Sequence, residues 1–422
     1  MVTASNSASN GSLLGTYRVL DLAQGPALLC GKILADLGAD VIKIEPPGGD
    51  PTRRLGPFYH DEISPGKSLF WFPYNANKRG ITLNIETADG QAVFKEMALK
   101  ADLIIESFLP KHMRKLGLDY KSLSQVNQRL VMVSISPFGQ TGPYSSYKAT
   151  DLVAMAMSGF SYINGEPDRP PIRLGFPHAF FHAGVQAAVA AAGALYYRDL
   201  TGEGQYIDVS AQQAAFKTSF NAVPFWETSR TILKRAGNLR AGVGKNINPR
   251  LLWPCRDGFV IYTVRGGISH ARANKSLVQW MDGGGMADEF VKTLDWDALD
   301  MGKIDQAFVE RMEQPFNKFF EAHTMAELYQ GGLERQVDIY PVSTQKALQE
   351  NEQLKFRQFW TGLEHPELND TLTYPGTFVR STECACDLKR RAPLIGEHNR
   401  EVYGEHGFSA ADIITLKGAG AI

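Results

Sequence analysis

Cysteine, charge of one sign and long apolar runs are all scarce in this chain, and each scarcity removes a class of protein. Four cysteines stand among 422 residues, at positions 30, 255, 384 and 386. Cys384-Ala-Cys386 has one intervening residue, which departs from ordinary zinc-ligand spacing. No metal site is expected, and the four are read as reduced thiols. Lysine and arginine total 44 against 45 aspartates and glutamates, a net charge of −1. That balance excludes a general nucleic-acid binder but leaves room for a local cationic groove around one phosphorylated ligand. Met1–Ser12 is rich in serine, asparagine and alanine and has no basic-then-apolar leader pattern. No uninterrupted apolar run is long enough to span a bilayer; Ala187–Leu195 is short and soon meets Arg198 and Asp199. A cytosolic protein with no membrane partner is expected. Gly25-Pro-Ala-Leu-Leu-Cys-Gly31 is not the G-x-G-x-x-G of dinucleotide-binding turns, and no acidic residue follows at the ribose-binding place, which argues against a nicotinamide site.

What is present is an alternation of short β-branched runs with helical stretches. Tyr17–Asp21, Ala39–Glu45, Gly80–Ile85, Ala101–Glu106 and Leu130–Ile135 read as strands. Leu28–Leu37 and Asp89–Lys100 read as helices between them. That repetition predicts an α/β fold whose parallel sheet is covered on both faces. Asp151–Ser158 and Phe181–Tyr197 predict two further helices, the second rich in alanine and glycine, and Gly202–Ser210 turns into another strand. Asn238–Asn248 is Gly/Asn-rich and reads as a loop, and Trp253–Thr263 reads as a strand pair turning at Asp257-Gly258. Ser343–Glu350 offers a cap and a helix, and Ala392–Tyr403 a loop entering a helix. The expected organisation is a loose arm over residues 1–13, a large domain over 14–225, a smaller domain with linker over 226–340, and a returning C-terminal part over 341–422.

The ordered landmarks Val19-Leu-Asp21, Leu34-Ala-Asp-Leu-Gly-Ala-Asp-Val-Ile-Lys-Ile-Glu45, Gly48-Gly-Asp-Pro-Thr-Arg53, Asn75-Ala-Asn-Lys-Arg79, Gly139-Gln-Thr-Gly-Pro143, Thr201-Gly-Glu-Gly-Gln205, Asp257-Gly258 and Ala392-Pro-Leu-Ile-Gly-Glu-His398 run through nearly the whole chain. In this order they resemble the class III CoA-transferases, the CaiB/BaiF or formyl-CoA-transferase family. The resemblance implies a doubly wound, Rossmann-like large domain and a smaller α/β domain, joined by long crossing linkers in an interlocked, ring-like dimer.

It also implies coenzyme A or an acyl-CoA as substrate, with no tightly bound cofactor. Such a ligand needs cations and N–H donors for its phosphates and an apolar slot for its adenine and pantetheine arm. By resemblance Leu83 falls in the adenine region, Lys115 meets phosphate with Leu116 packing beside it, and Lys148 is a second cationic contact. Read from the residues alone, Leu83 is equally strand core and the two lysines are solvated surface charges. Counting back from Leu34, the family's Gly-Pro falls on Ala27-Leu28, while this chain's Gly25-Pro26 lies two residues earlier. Gln24 therefore only approximates the family glutamine near the thioester, and the bulk of Leu28 and Leu29 is expected to narrow the channel. Gly266-Gly267 stands for the family's glycine-rich loop.

The family's chemistry resembles nucleophilic catalysis by a carboxylate, because an aspartate can form both a mixed anhydride with the acyl group and a thioester with the coenzyme. That aspartate lies four residues before the glycine matched by Gly184, and here the position is Phe180. Between Gly175 and Gly184 there is no aspartate or glutamate, and Asp151 matches a separate acidic position. No residue of this chain is therefore assigned as the covalent catalyst; His178 and His182, flanking Phe180, are the alternatives as general bases. The expectation is a subunit of a class III CoA-transferase moving CoA from an acyl-CoA donor such as succinyl-CoA to a carboxylic acid such as a substituted succinate, with a homologous partner subunit carrying the aspartate. The resemblance extends to members built from two different homologous subunits, the succinyl-CoA:benzylsuccinate transferases among them. The alternatives are a thioesterase or isomerase with histidine-based chemistry, and a non-enzymatic CoA-binding scaffold.

Overall fold

The computed structural model describes residues 11–238 and 247–422. Most of the expected N-terminal arm and of the Asn238–Asn248 loop lies outside the described residues. The chain divides into two compact units, the first spanning residues up to Ser158, Leu174–Ser219 and Glu352–Ile422, the second Gly159–Arg173 and Phe220–Asn351.

The first unit is built on a six-stranded sheet, β1 (Arg18–Asp21), β2 (Asp40–Glu45), β3 (Arg79–Thr82), β4 (Leu103–Glu106), β5 (Val131–Ser136) and β6 (Tyr206–Ser210). The strand order is β3-β2-β1-β4-β5-β6 and every pairing is parallel. This is the doubly wound order, in which the chain reverses direction across the sheet between β1 and β4. β3, β4 and β5 are buried along their whole length, as strands covered on both faces must be. Helices α1 (Leu29–Asp36), α2 (Trp71–Asn75), α3 (Ala88–Leu99), α4 (His112–Lys115), α5 (Tyr120–Leu123), α6 (Asp151–Met157), α7 (His178–Thr201) and α8 (Ala211–Phe216) connect and cover these strands. β3 ends three residues earlier than its sequence pattern suggests. Leu83 still donates to the Glu45 carbonyl, but the Asn84 amide turns away to the Ala421 carbonyl near the C-terminus.

α7 corrects the expectation of a short apolar run. It has 24 residues and is long and apolar enough, by length and composition, to cross a membrane. Its small residues serve packing: Ala183, Gly184, Ala187, Ala188 and Ala191 are buried. At Gly184 a Cβ would sit 3.1 Å from the Leu29 Cβ and 3.2 Å from the Cys30 amide nitrogen, so α7 and α1 approach backbone to backbone there.

In the second unit α9 (Ala222–Ser229) precedes an antiparallel pair, β7 (Leu252–Cys255) and β8 (Gly258–Ile261), with β9 (Tyr340–Pro341) beside β8. Cys255 pairs with Gly258, so the turn is Arg256-Asp257, one residue before the expected place. Helices α10 (Ile268–Gly283), α11 (Glu289–Thr293), α12 (Gln306–Glu321), α13 (Met325–Arg335) and α14 (Gln345–Glu350) follow. Their core gathers Trp253, Trp296, Met312, Phe316, Phe319 and Phe320. Residues 159–173 belong to this unit rather than to the first because Arg235 ties them down, donating to the carbonyls of Tyr162, Glu166 and Arg169. Gly266 packs where a Cβ would meet the Leu299 carbonyl at 2.1 Å, and Gly267 opens α10 at φ +89°.

The chain then returns to the first unit through α15 (Glu352–Phe356), the antiparallel hairpin β10 (Trp360–His365) and β11 (Asp370–Pro375), and helices α16 (Asn399–Glu405) and α17 (Ala410–Gly418). Val402, Tyr403 and Ile422 enter the same core cluster as Leu20, Ile42, Ile81, Phe94 and Ile104. Arg79 fastens this return, pairing with Asp40 on β2 and with Glu401 and Glu405 on α16.

Candidate active site

In a doubly wound sheet, ligands bind outside the carboxyl ends of the strands where the order reverses. Here that crevice lies between the ends of β1 and β4, so its first walls are the Leu22–Leu28 loop and the Ser107–Phe108 turn. Buried charges hold the loop from below. Asp21 accepts from the Ala23 amide at 2.9 Å, and Lys43 donates to the Ala23 carbonyl at 2.6 Å. Lys78 is enclosed by Asp21 at 2.8 Å, the Leu28 carbonyl at 3.1 Å and Asn75 Oδ1 at 3.1 Å. The side chains of Lys78, Asp21, Lys43 and Asp50 are fully buried, and the Lys43–Asp50 pair spans 3.1 Å. Burial lowers the Lys78 ammonium from its ordinary value, against the pull of Asp21. Gly31 is required beside this cage, since a Cβ there would stand 2.2 Å from Asp21 Oδ2.

Of the sequence candidates, Gln24 stands at the crevice itself, its backbone N–H donating to the Ser107 hydroxyl at 2.8 Å. Lys115 closes α4, on the segment that follows β4, and Lys148 lies on the segment between β5 and α6. Both are exposed, and neither forms an ion pair among the described residues. Leu116 packs half-buried against the core cluster to which Leu83, 2% exposed, belongs outright. The expected narrowing of the channel by Leu28 is also corrected. Its side chain is fully buried with Trp71, Phe72 and Ala76, so its bulk is spent in the core.

Sequence reasoning passed over Ser107, Glu106 and the two buried lysines. A signal existed for Lys43: a lysine inside the apolar run Val41-Ile-Lys-Ile44 must find buried partners or leave the strand.

Phe180 stands in the first turn of α7 and is half-buried. The first amides of a helix have no partner within it, and α7 has no side-chain cap of its own. Asp151, in the first turn of α6, supplies one by accepting from the Phe180 amide at 3.0 Å. A carboxylate at the start of two helices is favoured by both dipoles, which gives Asp151 a structural role. His178 and His182 lie 6.1 Å apart between ring centroids, and Phe181 stacks against Tyr74 at 5.3 Å. Burial and the neighbouring His178 hold His182 below the ordinary imidazole value, with Asp151 opposing. The first turn of α7 thus presents aromatic and imidazole rings and no acid.

A parallel sheet in this order, with its switch point between β1 and β4, defines a doubly wound α/β scaffold of the kind that hosts ligands at its carboxyl edge. The family model for CoA-transferase family III matches residues 14–399, and the chain belongs to that family. It is 35% identical, over 98% of both chains, to the protein named succinyl-CoA:(R)-benzylsuccinate CoA-transferase subunit BbsE of Thauera aromatica. It is 36% identical to succinyl-CoA–D-citramalate CoA-transferase of Chloroflexus aurantiacus, over 59% of this chain and 61% of that one. Among solved structures, a CaiB/BaiF family protein from Brucella suis superposes with a TM-score of 0.81 at 27% identity, over 94% of this chain and 100% of the other.

Proposed function

We propose that this chain is the subunit of a heteromeric class III CoA-transferase that lacks the covalent nucleophile. The observation that carries the reading is Phe180 at the head of α7, with no aspartate or glutamate between Gly175 and Gly184. A homologous subunit then supplies the aspartate. That carboxylate attacks the donor thioester, forming a mixed anhydride and expelling the coenzyme as thiolate; the thiolate then attacks the aspartyl carbonyl and releases the donor acid. The acceptor carboxylate displaces the coenzyme from the resulting aspartyl-CoA thioester, forming a second anhydride whose acyl group the thiolate takes, which frees the aspartate. The relatives' names support succinyl-CoA as donor and a substituted succinate as acceptor. In this reading Gln24 and the β1–β4 crevice hold the coenzyme, and Lys115 and Lys148 meet its phosphates.

The surface of the first unit supports a partner. Val185, Val189, Tyr196 and Leu200 form an exposed apolar stripe along α7, and Leu152 and Val153 are exposed on α6. The partner of the proposal is the homologous subunit, with the two chains crossing as interlocked rings.

The test is to produce the chain alone and together with a homologue bearing aspartate at the position of Phe180, and to assay CoA transfer from succinyl-CoA to benzylsuccinate and related acids. Transfer is expected only from the pair. Full transfer by the isolated chain contradicts the reading. The His178 and His182 rings, 6.1 Å apart at the head of α7, are the observation behind one second reading, histidine-assisted hydrolysis. Release of free coenzyme from acyl-CoA by the isolated chain, abolished by His182→Ala, would establish it instead.

A further inference from the structure

Glu106 ends β4 on the crevice side, is 3% exposed, and is used by none of the chemistry above. It stands in a row. Register places Glu106 opposite Ser134 on β5, and Ser134 opposite Asp208 on β6. Side chains paired across a parallel sheet share a face, so the three project together. Each end of the row holds one loop at the carboxyl edge. Glu106 Oε2 accepts from the Phe108 amide at 2.7 Å, in the turn whose Ser107 hydroxyl receives the Gln24 amide. Asp208 Oδ2 accepts from the Gln140 amide at 2.8 Å, at the start of the loop that carries Lys148. Gly139 takes that loop through φ +90°, a backbone conformation that favours glycine. The neighbourhood is polar and incompletely paired: the Ser136 hydroxyl and Gln140 Nε2 are buried without a hydrogen-bond partner among the described residues.

We infer that Glu106 is a positioning residue, which through the Glu106–Ser134–Asp208 row sets the Ser107–Phe108 turn and the Gly139–Gln140 loop against each other and so shapes the coenzyme crevice. The coenzyme part of this inference rests on the proposed function; the positioning part does not. Burial lifts the Glu106 carboxyl to about 7, opposed by hydrogen bonding to Ser134 and the Phe108 amide and reinforced by the Asp208 charge. The other ionisable groups around it are Tyr206 on β6, itself lifted to about 12 by burial, and Asp119, which acts on Tyr206. His112 packs on Phe108 at 4.7 Å and pairs with Glu86. No cation faces Glu106 in this set, so its ionisation puts two carboxylates on one row two strands apart, roughly 10 Å. With Glu106 protonated, the row carries no charge at that end and Oε2 still accepts from the Phe108 amide. Ionised, the buried carboxylate carries a desolvation cost, with the Asp208 charge adding to it, that opening of the row relieves, so both loops loosen around neutral pH.

The experiment is amide hydrogen exchange at Phe108, Gln24 and Gln140 in the full chain, corrected for intrinsic rates, from about pH 6 to about pH 8, in wild type and Glu106→Gln. Coenzyme A binding is followed by calorimetry on the same samples. Wild-type protection at the three amides is expected to fall by about tenfold as Glu106 ionises, and coenzyme A affinity to fall with it. Glu106→Gln keeps a carbonyl acceptor and cannot ionise, so its protection and affinity are expected to stay level. Glu106→Ala is expected to be unprotected at Phe108 throughout. Equal protection in wild type and Glu106→Gln at every pH overturns the inference. If coenzyme A fails to bind at any pH while the amides respond, the positioning role stands and the coenzyme reading falls.

Discussion

Lys78→Met is the substitution that most directly probes the cradle under the Gln24 loop. Lys78 and Asp21 are both fully buried, and the ammonium satisfies three acceptors on three segments. Methionine fills much of the same volume but leaves Asp21 Oδ2 and the Leu28 carbonyl without their donor. Removing one member of a buried pair costs about 3–5 kcal/mol, because the remaining charge keeps its desolvation penalty. Relief by rearrangement is blocked on one side, where α1 presses Gly31 onto the Asp21 carboxylate. The double variant Asp21→Asn/Lys78→Met carries no orphan charge, so it is expected to cost less than the sum of the singles by about 2 kcal/mol or more. Urea unfolding followed by tryptophan fluorescence measures all three, with the buried Trp71 close to Asn75 as a reporter. A Lys78→Met penalty below about 1 kcal/mol, or additive single costs, would refute the claim that this pair anchors the loop.

Other consequences follow from the same geometry. Glu106 and Glu313 are each lifted to about 7 by burial, so the unfolded chain gives up these protons first as pH rises. Their contribution is favourable below the unfolded carboxyl value and is lost as pH rises toward 7. For Glu106 the loss amounts to about 3 kcal/mol, so Glu106→Gln should gain stability over wild type by about that much at pH 8 and by little at pH 5, by urea midpoints. Asp151→Ala removes the acceptor for the Phe180 amide and should cost about 1 kcal/mol, read as faster exchange of that amide. Gly31→Ala drives a methyl into Asp21 and should cost about 1–3 kcal/mol by the same unfolding assay. Phe180→Asp in the assembled enzyme should leave transfer nearly unchanged; a large gain would mean that this half-site can be made catalytic.

The parallel sheet was legible because runs such as Val41-Ile-Lys-Ile44 and Leu130-Val-Met-Val133 alternate with helical stretches along the chain. Strand order was not legible from that alternation, since it depends on which side each helix crosses. The crevice partners escaped for the same reason: Ser107 and Gln24 are 83 residues apart and meet only because β1 and β4 are neighbours. Leu28 shows the opposite limit. Its bulk could be seen in the sequence, but which way it points is set by the packing of Trp71 and Phe72. Residues 159–173 follow directly on α6 in sequence, yet their fold partner is Arg235, more than sixty residues on, which no local pattern announces. Phe180 needed only the count back from Gly184, so the absent acid was plain at once, while the amide that Asp151 caps there was not.

Intact-mass analysis under turnover tests the central claim most directly. The complex of this chain with its aspartate-bearing homologue is incubated with succinyl-CoA, quenched, and both subunits are weighed before and after hydroxylamine. The account predicts a hydroxylamine-sensitive coenzyme adduct on the homologue and none on this chain. A coenzyme or acyl adduct on this chain, formed during turnover and chased by the acceptor acid, would contradict it.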